Sequence, residues 1–344
     1  MTVRTLPVLL RCFCALFLVW ASSGCLKLTL YNASVTKPSQ VAVYFSLTDS
    51  GGNPVPNLAS DKFKIYEDGG LVSVFESKQT ILNPEVAAVH YTLLLVDLSG
   101  SVSESGAIEQ LKPAVQGFAD RVGQLQRVAV YGFDGSKEIF QITGFSEGGG
   151  RVSGAAERLG TVRTKDPSTN LNGAVIEGLK VLDKALQSAP TPLRFGSLVV
   201  FTDGTDRAKR VLRPDLDKAL DEAVERDVSL YVIGVGSEID SSELRNIGRR
   251  GAFLTKDPTV LAKAFDAIAE RVEAFTKSFY LLSYCSPARA QEHDLKVEAH
   301  APGKSGSLTY RFDATGFGPN CDSNRLPKFD IHNPIKRTAN KKAK

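Results

Sequence analysis

The chain has 344 residues, of which 42% are hydrophobic and 23% charged, with five cysteines. A composition this ordinary excludes a fibrous repeat and wholesale disorder, and a chain of this length buries a large core without a disulfide lattice. The net charge of +4 is too small for nucleic acid to be the expected partner, and it is unevenly placed. Residues 325–344 hold seven Lys/Arg and one Asp, so the body of the chain is mildly acidic and its end basic.

The first segment, MTVRTLPVLLR, carries two arginines and precedes the apolar run CFCALFLVWA (12–21) and the small residues ASSG. That is the layout of a secretory signal, assigned to residues 1–24. The run falls short of the roughly 20 apolar residues that span a bilayer, and no later stretch reaches that length, so no transmembrane helix is expected.

Ser22-Ser23-Gly24-Cys25 resembles a bacterial lipobox, departing from it at Ser22, where that motif has Leu or another aliphatic residue. The resemblance implies that Cys25 is acylated and anchors the exported chain to a membrane at the cell envelope or surface. The alternative is ordinary cleavage nearby and a secreted, soluble protein. Cys12 and Cys14 leave with the signal. If Cys25 carries lipid, Cys285 and Cys321 can pair in an oxidising compartment; otherwise one thiol is left over. Two cysteines alone make a poor zinc site.

Residues 25–89 read as sandwich strands. VAVYFSL (41–47), FKIYED (63–68) and LVSVFES (71–77) alternate between faces and are separated by Gly/Asp turns. From 90 to 277 the grammar changes. YTLLLVD (91–97), LVVFTD (198–203) and LYVIGV (230–235) are continuous apolar runs, as in parallel strands covered on both faces. Between them Ile108, Leu111, Val115, Phe118 and Val122 recur at helical spacing, as do Val175, Leu179, Leu182 and Leu186. Further helices are expected near 215–226 and 259–276. VAVYGF (128–133) and EIFQIT (138–143) read as an edge hairpin closed by Asp134-Gly135.

Alternation returns in FYLLSYC (279–285), DLKVEAHA (294–301) and LTYRFDA (308–314). Two or three strands rarely stand alone, so residues 278–318 are expected to complete the N-terminal sandwich. Residues 319–344 read as a basic, flexible tail. The fold class is therefore α/β: a doubly wound, mostly parallel sheet flanked by, or inserted in, a small β-sandwich.

Asp97-Leu98-Ser99-Gly100-Ser101 stands at the end of the first buried strand, at the carboxyl edge where such sheets place ligands. Thr169 lies in the polar loop Pro167-Ser168-Thr169-Asn170 before a helix, and Asp203 ends the next buried strand. Three hydroxyls are hard, neutral oxygens, and two carboxylates offset a divalent charge, which suits Mg²⁺ or Mn²⁺. An ion with no carboxylate in direct contact keeps much of its charge and attracts an acidic side chain. Gly100 and Gly204 allow tight turns around it.

In these three segments the chain resembles a von Willebrand factor type A (VWA) domain with a metal-ion-dependent adhesion site. The resemblance covers about 185 residues, and DKFKIYEDGG and SFYLLSYC resemble flanks of exported bacterial proteins that carry the domain in a sandwich frame. It implies a non-enzymatic binding or adhesion protein. Ser99, Ser101 and Thr169 would be direct ligands, Asp97 and Asp203 would act largely through water, and a protein partner would supply an exposed Asp or Glu. A metal-independent scaffold in a surface or envelope complex is the alternative.

Gly144-Phe145-Ser146-Glu147-Gly148 matches the nucleophile-elbow pattern of a serine hydrolase, but it follows an edge strand and no helix comes directly after it. The histidines, His90, His293, His300 and His332, form no ligand pair. Asp206 reads as a supporting or helix-start acid.

Overall fold

The computed structural model describes residues 24–104, 107–146, 154–189 and 191–329. The signal segment up to residue 23, His332 and the tail from residue 330 lie outside the described residues.

Five strands come first: β1 (Gly24–Thr36), β2 (Gln40–Asp49), β3 (Phe63–Glu67), β4 (Gly70–Leu71) and β5 (Thr80–Leu82). The α/β unit follows as β6 (Ala88–Asp97), α1 (Gly100–Glu104), α2 (Ala107–Val122), β7 (Arg127–Phe133), β8 (Phe140–Thr143), α3 (Ala155–Leu159), α4 (Leu171–Gln187) and β9 (Leu193–Thr202). It continues through α5 (Arg213–Glu225), β10 (Val228–Val235), α6 (Ser241–Ile247), β11 (Gly251–Thr255) and α7 (Leu261–Lys277). Strands β12 (Phe279–Cys285), β13 (Glu292–Ala301) and β14 (Lys304–Asp313) complete the order.

The α/β unit is built on a sheet in the order β11-β10-β9-β6-β7-β8. Its first five strands are parallel and β8 runs antiparallel at one edge. The continuous apolar runs have the expected cause, since helices cover both faces. Leu94 and Val96 of β6 pack with Phe118 of α2 and Phe265 of α7. Leu93 and Leu95 point the other way, into Val175 and Leu182 of α4 and Leu220 of α5. All five parallel strands deliver their carboxyl ends to one edge.

The other strands form a continuous order, β4-β3-β13-β14-β1-β2-β12-β5. Strand β1 turns the corner, because Gly24 and Cys25 pair in parallel with β14 while Leu26–Thr36 pair with β2. Val43 and Phe45 of β2, Ile65 of β3, Leu282 of β12 and Val297 of β13 share a single core, so the ribbon folds over as a sandwich. The outward face of β2 and β12 (Tyr44, Phe279, Leu281) packs on Phe195 and Phe275 of the α/β unit. The fold is thus the α/β sheet expected, set between strands of one β-sandwich.

The corner at β1 has a steric condition. A Cβ added at Gly306 would stand 1.9 Å from the Leu26 carbonyl oxygen, a backbone atom fixed by the β1–β2 ladder. Gly306→Ala is expected to lower stability by about 1–3 kcal/mol, read as a lower urea midpoint; an unchanged midpoint would show that the corner can relax.

Three expectations are corrected. LVSVFES is not a strand beyond Leu71: Leu71 and Gly70 are the pairing residues, and a turn carries the chain onward. The next strand, β5, pairs with β12 of the opposite sheet, and residues 72–79 are needed to cross between edges. Asp134-Gly135 is not a two-residue turn, because the connection runs from 134 to 139 and Asp134 is buried. The end of the chain is not free from residue 319. The backbone carbonyls of Ser323 and Arg325 accept from Gln40 Nε2, Ser34 Oγ donates to the Lys328 carbonyl, and Phe329 packs edge-on against Tyr44.

Candidate metal centre

Strands β6 and β9 are neighbours in register, with Val96 opposite Phe201, so Asp97 and the Thr202-Asp203 pair emerge side by side. Asp97 is fully buried. Its Oδ1 accepts from the Ser99 backbone N–H at 3.0 Å, which turns the chain immediately after the strand. Its Oδ2 accepts from the Thr202 hydroxyl at 2.6 Å. Ser101 Oγ lies 3.4 Å from Ser99 Oγ and donates to Asp203 Oδ1 at 2.9 Å. Asp97, Ser99, Ser101 and Asp203 therefore form one connected cluster.

Thr169 reaches this edge on the loop before α4. Gly100 N–H donates to the Pro167 carbonyl at 2.9 Å and Ala208 N–H to the Thr169 carbonyl at 3.0 Å, tying that loop to the other two. A Cβ built on Gly204 would lie 4.0 Å from Thr169 Oγ1, so the Thr169 hydroxyl faces the Asp203-Gly204 turn. Ser99 and Thr169 are buried and Ser101 is exposed, which leaves the cluster open on one side.

Burial raises both carboxyls. Desolvation pushes Asp97 up to about 6, against the bonds from Thr202 and Ser99, and the Asp203 charge adds to the rise. Asp203 is raised chiefly by desolvation too, against the Ser101 hydrogen bond. Their hydrogen-bond partners are hydroxyls and backbone N–H groups, so the donor set is rich in oxygen and short of positive charge. Such a set fits a hard divalent cation. Among the described residues no group of three or more His, Cys, Asp or Glu is placed to hold a metal.

Two contributors, Thr202 and Asp134, escape a reading of motifs, while Asp206 takes the supporting place expected of it. Thr202 binds Asp97 from the neighbouring strand. Asp134 stands just past β7, and its Oδ2 accepts from Lys165 N–H at 2.8 Å and Asp166 N–H at 3.3 Å. Its carbonyl accepts from Asn170 N–H, so Asp134 brackets the Thr169 loop from both ends. The available signal was its place, an acid one residue beyond a buried parallel strand, like Asp203. Asp206 accepts from Asn172 N–H and Nδ2, both at 3.3 Å, and so serves the first turn of α4.

The remaining candidates lie elsewhere. Ser146 Oγ accepts from Val128 N–H at 3.0 Å, stitching its segment to β7. His90 is buried among Phe195, Phe275 and Phe279, and burial lowers its pKa to about 3. His293 pairs with Asp68, and His300 stands near Glu298 in the sandwich. Cys285 and Cys321 are joined at an S–S distance of 2.05 Å, while Cys25 is a free, exposed thiol at the start of β1. No described helix is long and apolar enough to cross a membrane.

Comparison with known proteins bears on the same region. Inter-alpha-trypsin inhibitor heavy chain H1 of Bos taurus is 32% identical over 88 residues, 24% of this chain and 10% of that protein. The chain thus spans about a tenth of that relative's length. Among solved structures, a von Willebrand factor type A protein from Catenulispora acidiphila is 12% identical, with a TM-score of 0.45 over 85% of this chain and 74% of that one. The manganese-loaded TRAP protein of Plasmodium vivax is 13% identical (TM-score 0.44; 74% of this chain, 99% of that one). Proximal thread matrix protein 1 of the mussel byssus, with a zinc-occupied MIDAS motif, is 16% identical (TM-score 0.43; 61% and 49%). The von Willebrand factor type A domain family matches residues 93–269, from within β6 into α7. That match takes in more than half of the chain, and the protein belongs to the von Willebrand factor type A domain family.

Proposed function

We propose that this is an exported, non-enzymatic binding protein that uses a divalent cation, Mg²⁺ or Mn²⁺, to hold an acidic residue of a protein partner. Ser99, Ser101 and Thr169 would hold the ion directly, with Asp97 and Asp203 acting through its waters. The ion would supply a positive charge little neutralised by the protein, which an Asp or Glu of the partner complements. The observation that carries this reading is the convergence of three hydroxyls and two burial-raised carboxyls at one open edge. In the same reading residues 90–277 are the binding domain, residues 25–89 and 278–318 are its frame, and Cys25 carries lipid to a membrane.

The test is calorimetric titration of Mg²⁺ and Mn²⁺ into the chain beginning at Leu26, beside Ser99→Ala. Binding by the parent that the variant loses, with its unfolding transition retained, is the expected result. Absence of binding by the parent would leave the fold in place and remove the metal from its function. One observation favours a second reading, a metal-independent scaffold. Leu71, Val74 and Phe75 are exposed on the sandwich, Phe75 by 94%, and would offer an apolar contact that needs no ion. Partner capture that persists in chelator would point there.

A further inference from the structure

A cleft of about 570 Å³ opens directly beside the candidate metal centre, and Ser101 and Asp203 belong to its wall. Four elements converge on its floor with apolar side chains: Val102 of α1, Phe201 of β9, Val235 of β10 and Leu261 of α7. All four belong to the core on that face of the sheet. The rim differs in character, because Arg207 pairs there with Glu238, and both side chains are more than half exposed. A pair this exposed is weakly held and exchanges its partners readily.

The geometry ties the cleft to the ion-binding edge. A carboxylate that approaches over Ser101 and Asp203 brings its chain neighbours across the cleft, since successive residues of an extended segment are only about 3.3–3.6 Å apart. An apolar side chain beside that carboxylate then meets an apolar floor. A further acidic residue meets the Arg207 guanidinium on the rim, whose present partner is a surface carboxylate.

We propose that this cleft sets the specificity of the site. Its occupant is a segment of the partner protein in which the ion-binding Asp or Glu stands next to a bulky apolar residue, with a further acidic residue drawing Arg207 away from Glu238. The inference rests on the metal-dependent reading above and adds the chemistry of the partner. Ser237 offers a way to test it alone, because it is exposed, lines the cleft and is no part of the ion-binding set.

The experiment is selection of displayed random heptapeptides against the full chain in Mg²⁺, with Ser237→Trp selected in parallel and Mg²⁺ binding measured on both proteins. The expected result is enrichment of Asp or Glu beside Phe, Leu, Ile or Trp in the parent, lost in chelator. In Ser237→Trp the acidic residue stays enriched without its apolar neighbour. Changing that neighbour to Ser should weaken a selected peptide roughly tenfold to a hundredfold in the parent and little in the variant. Acidic enrichment with no apolar neighbour, or an unchanged apolar preference in Ser237→Trp, overturns the cleft assignment and leaves the metal reading standing. No enrichment, or enrichment without an acidic residue while Mg²⁺ is bound, overturns both.

Discussion

Asp97→Asn is expected to abolish divalent-ion binding and, in chelator at pH 7, to stabilise the fold. The sign follows from burial. The folded-state carboxyl sits at about 6, above its ordinary 3.8, so between those values the folded protein holds a proton that the unfolded chain has released. Stability from this group is therefore full below pH 3.8 and is lost as pH rises through 6. At about 1.4 kcal/mol per pH unit, the ionised form costs about 3 kcal/mol at pH 7. Asparagine removes that cost and keeps an oxygen to accept from Thr202 or Ser99.

Other carboxyls are shifted as well, Asp206 upward by desolvation and Asp49 downward by its hydrogen bonds with Asn53. The useful quantity is thus the difference in unfolding free energy between Asp97→Asn and the parent, measured in chelator. It should move toward the variant by about 2 kcal/mol from pH 4 to pH 7, and the parent should recover stability when Mg²⁺ is added. A flat difference would mean that Asp97 is not held in a desolvated pocket.

The second large effect concerns the end of the chain. Cys285 and Cys321 close a loop with a sequence separation of 36, for which chain entropy gives about 4 kcal/mol. The bridge also seats the segment that follows it. Ser323 Oγ donates to the Lys78 carbonyl, and Lys78 Nζ donates to the Cys321 carbonyl at 3.1 Å. Reduction, or Cys321→Ser, is expected to lower the urea midpoint by an amount matching about 4 kcal/mol. Two more thiols should alkylate after reductant than before. Equal alkylation in both conditions would show that the pair is not bonded in the protein as made.

The candidate centre was legible to the extent that its residues sit at the ends of buried strands. A continuous apolar run ending in Asp announces a parallel strand and its carboxyl edge, which is how Asp97 and Asp203 stand out. Asp134 follows the same rule but reads as a hairpin turn, because Asp-Gly is a strong local turn signal and the depth of the residue is not a local property. Thr202 looked like any strand threonine; its bond to Asp97 exists only because β6 and β9 lie side by side in that register. The stretch 71–77 alternates like a strand, yet it leaves β3 after its first residues because the chain must cross to pair β5 with β12.

Periodicity, strand-end position and residue chemistry act over a few residues, and through them the sequence alone determined the α/β class and placed Asp97 and Asp203 at strand ends, where the resemblance to the VWA family rests. The tertiary structure decided what depends on groups far apart in the chain. It brought Gln40 to Arg325 across 285 positions, used Asp134 to brace the Thr169 loop, and set α1 and α7 around one cleft beside Asp203. Such contacts form where packed layers meet, and the relative position of layers is fixed by the whole core rather than by any segment within it.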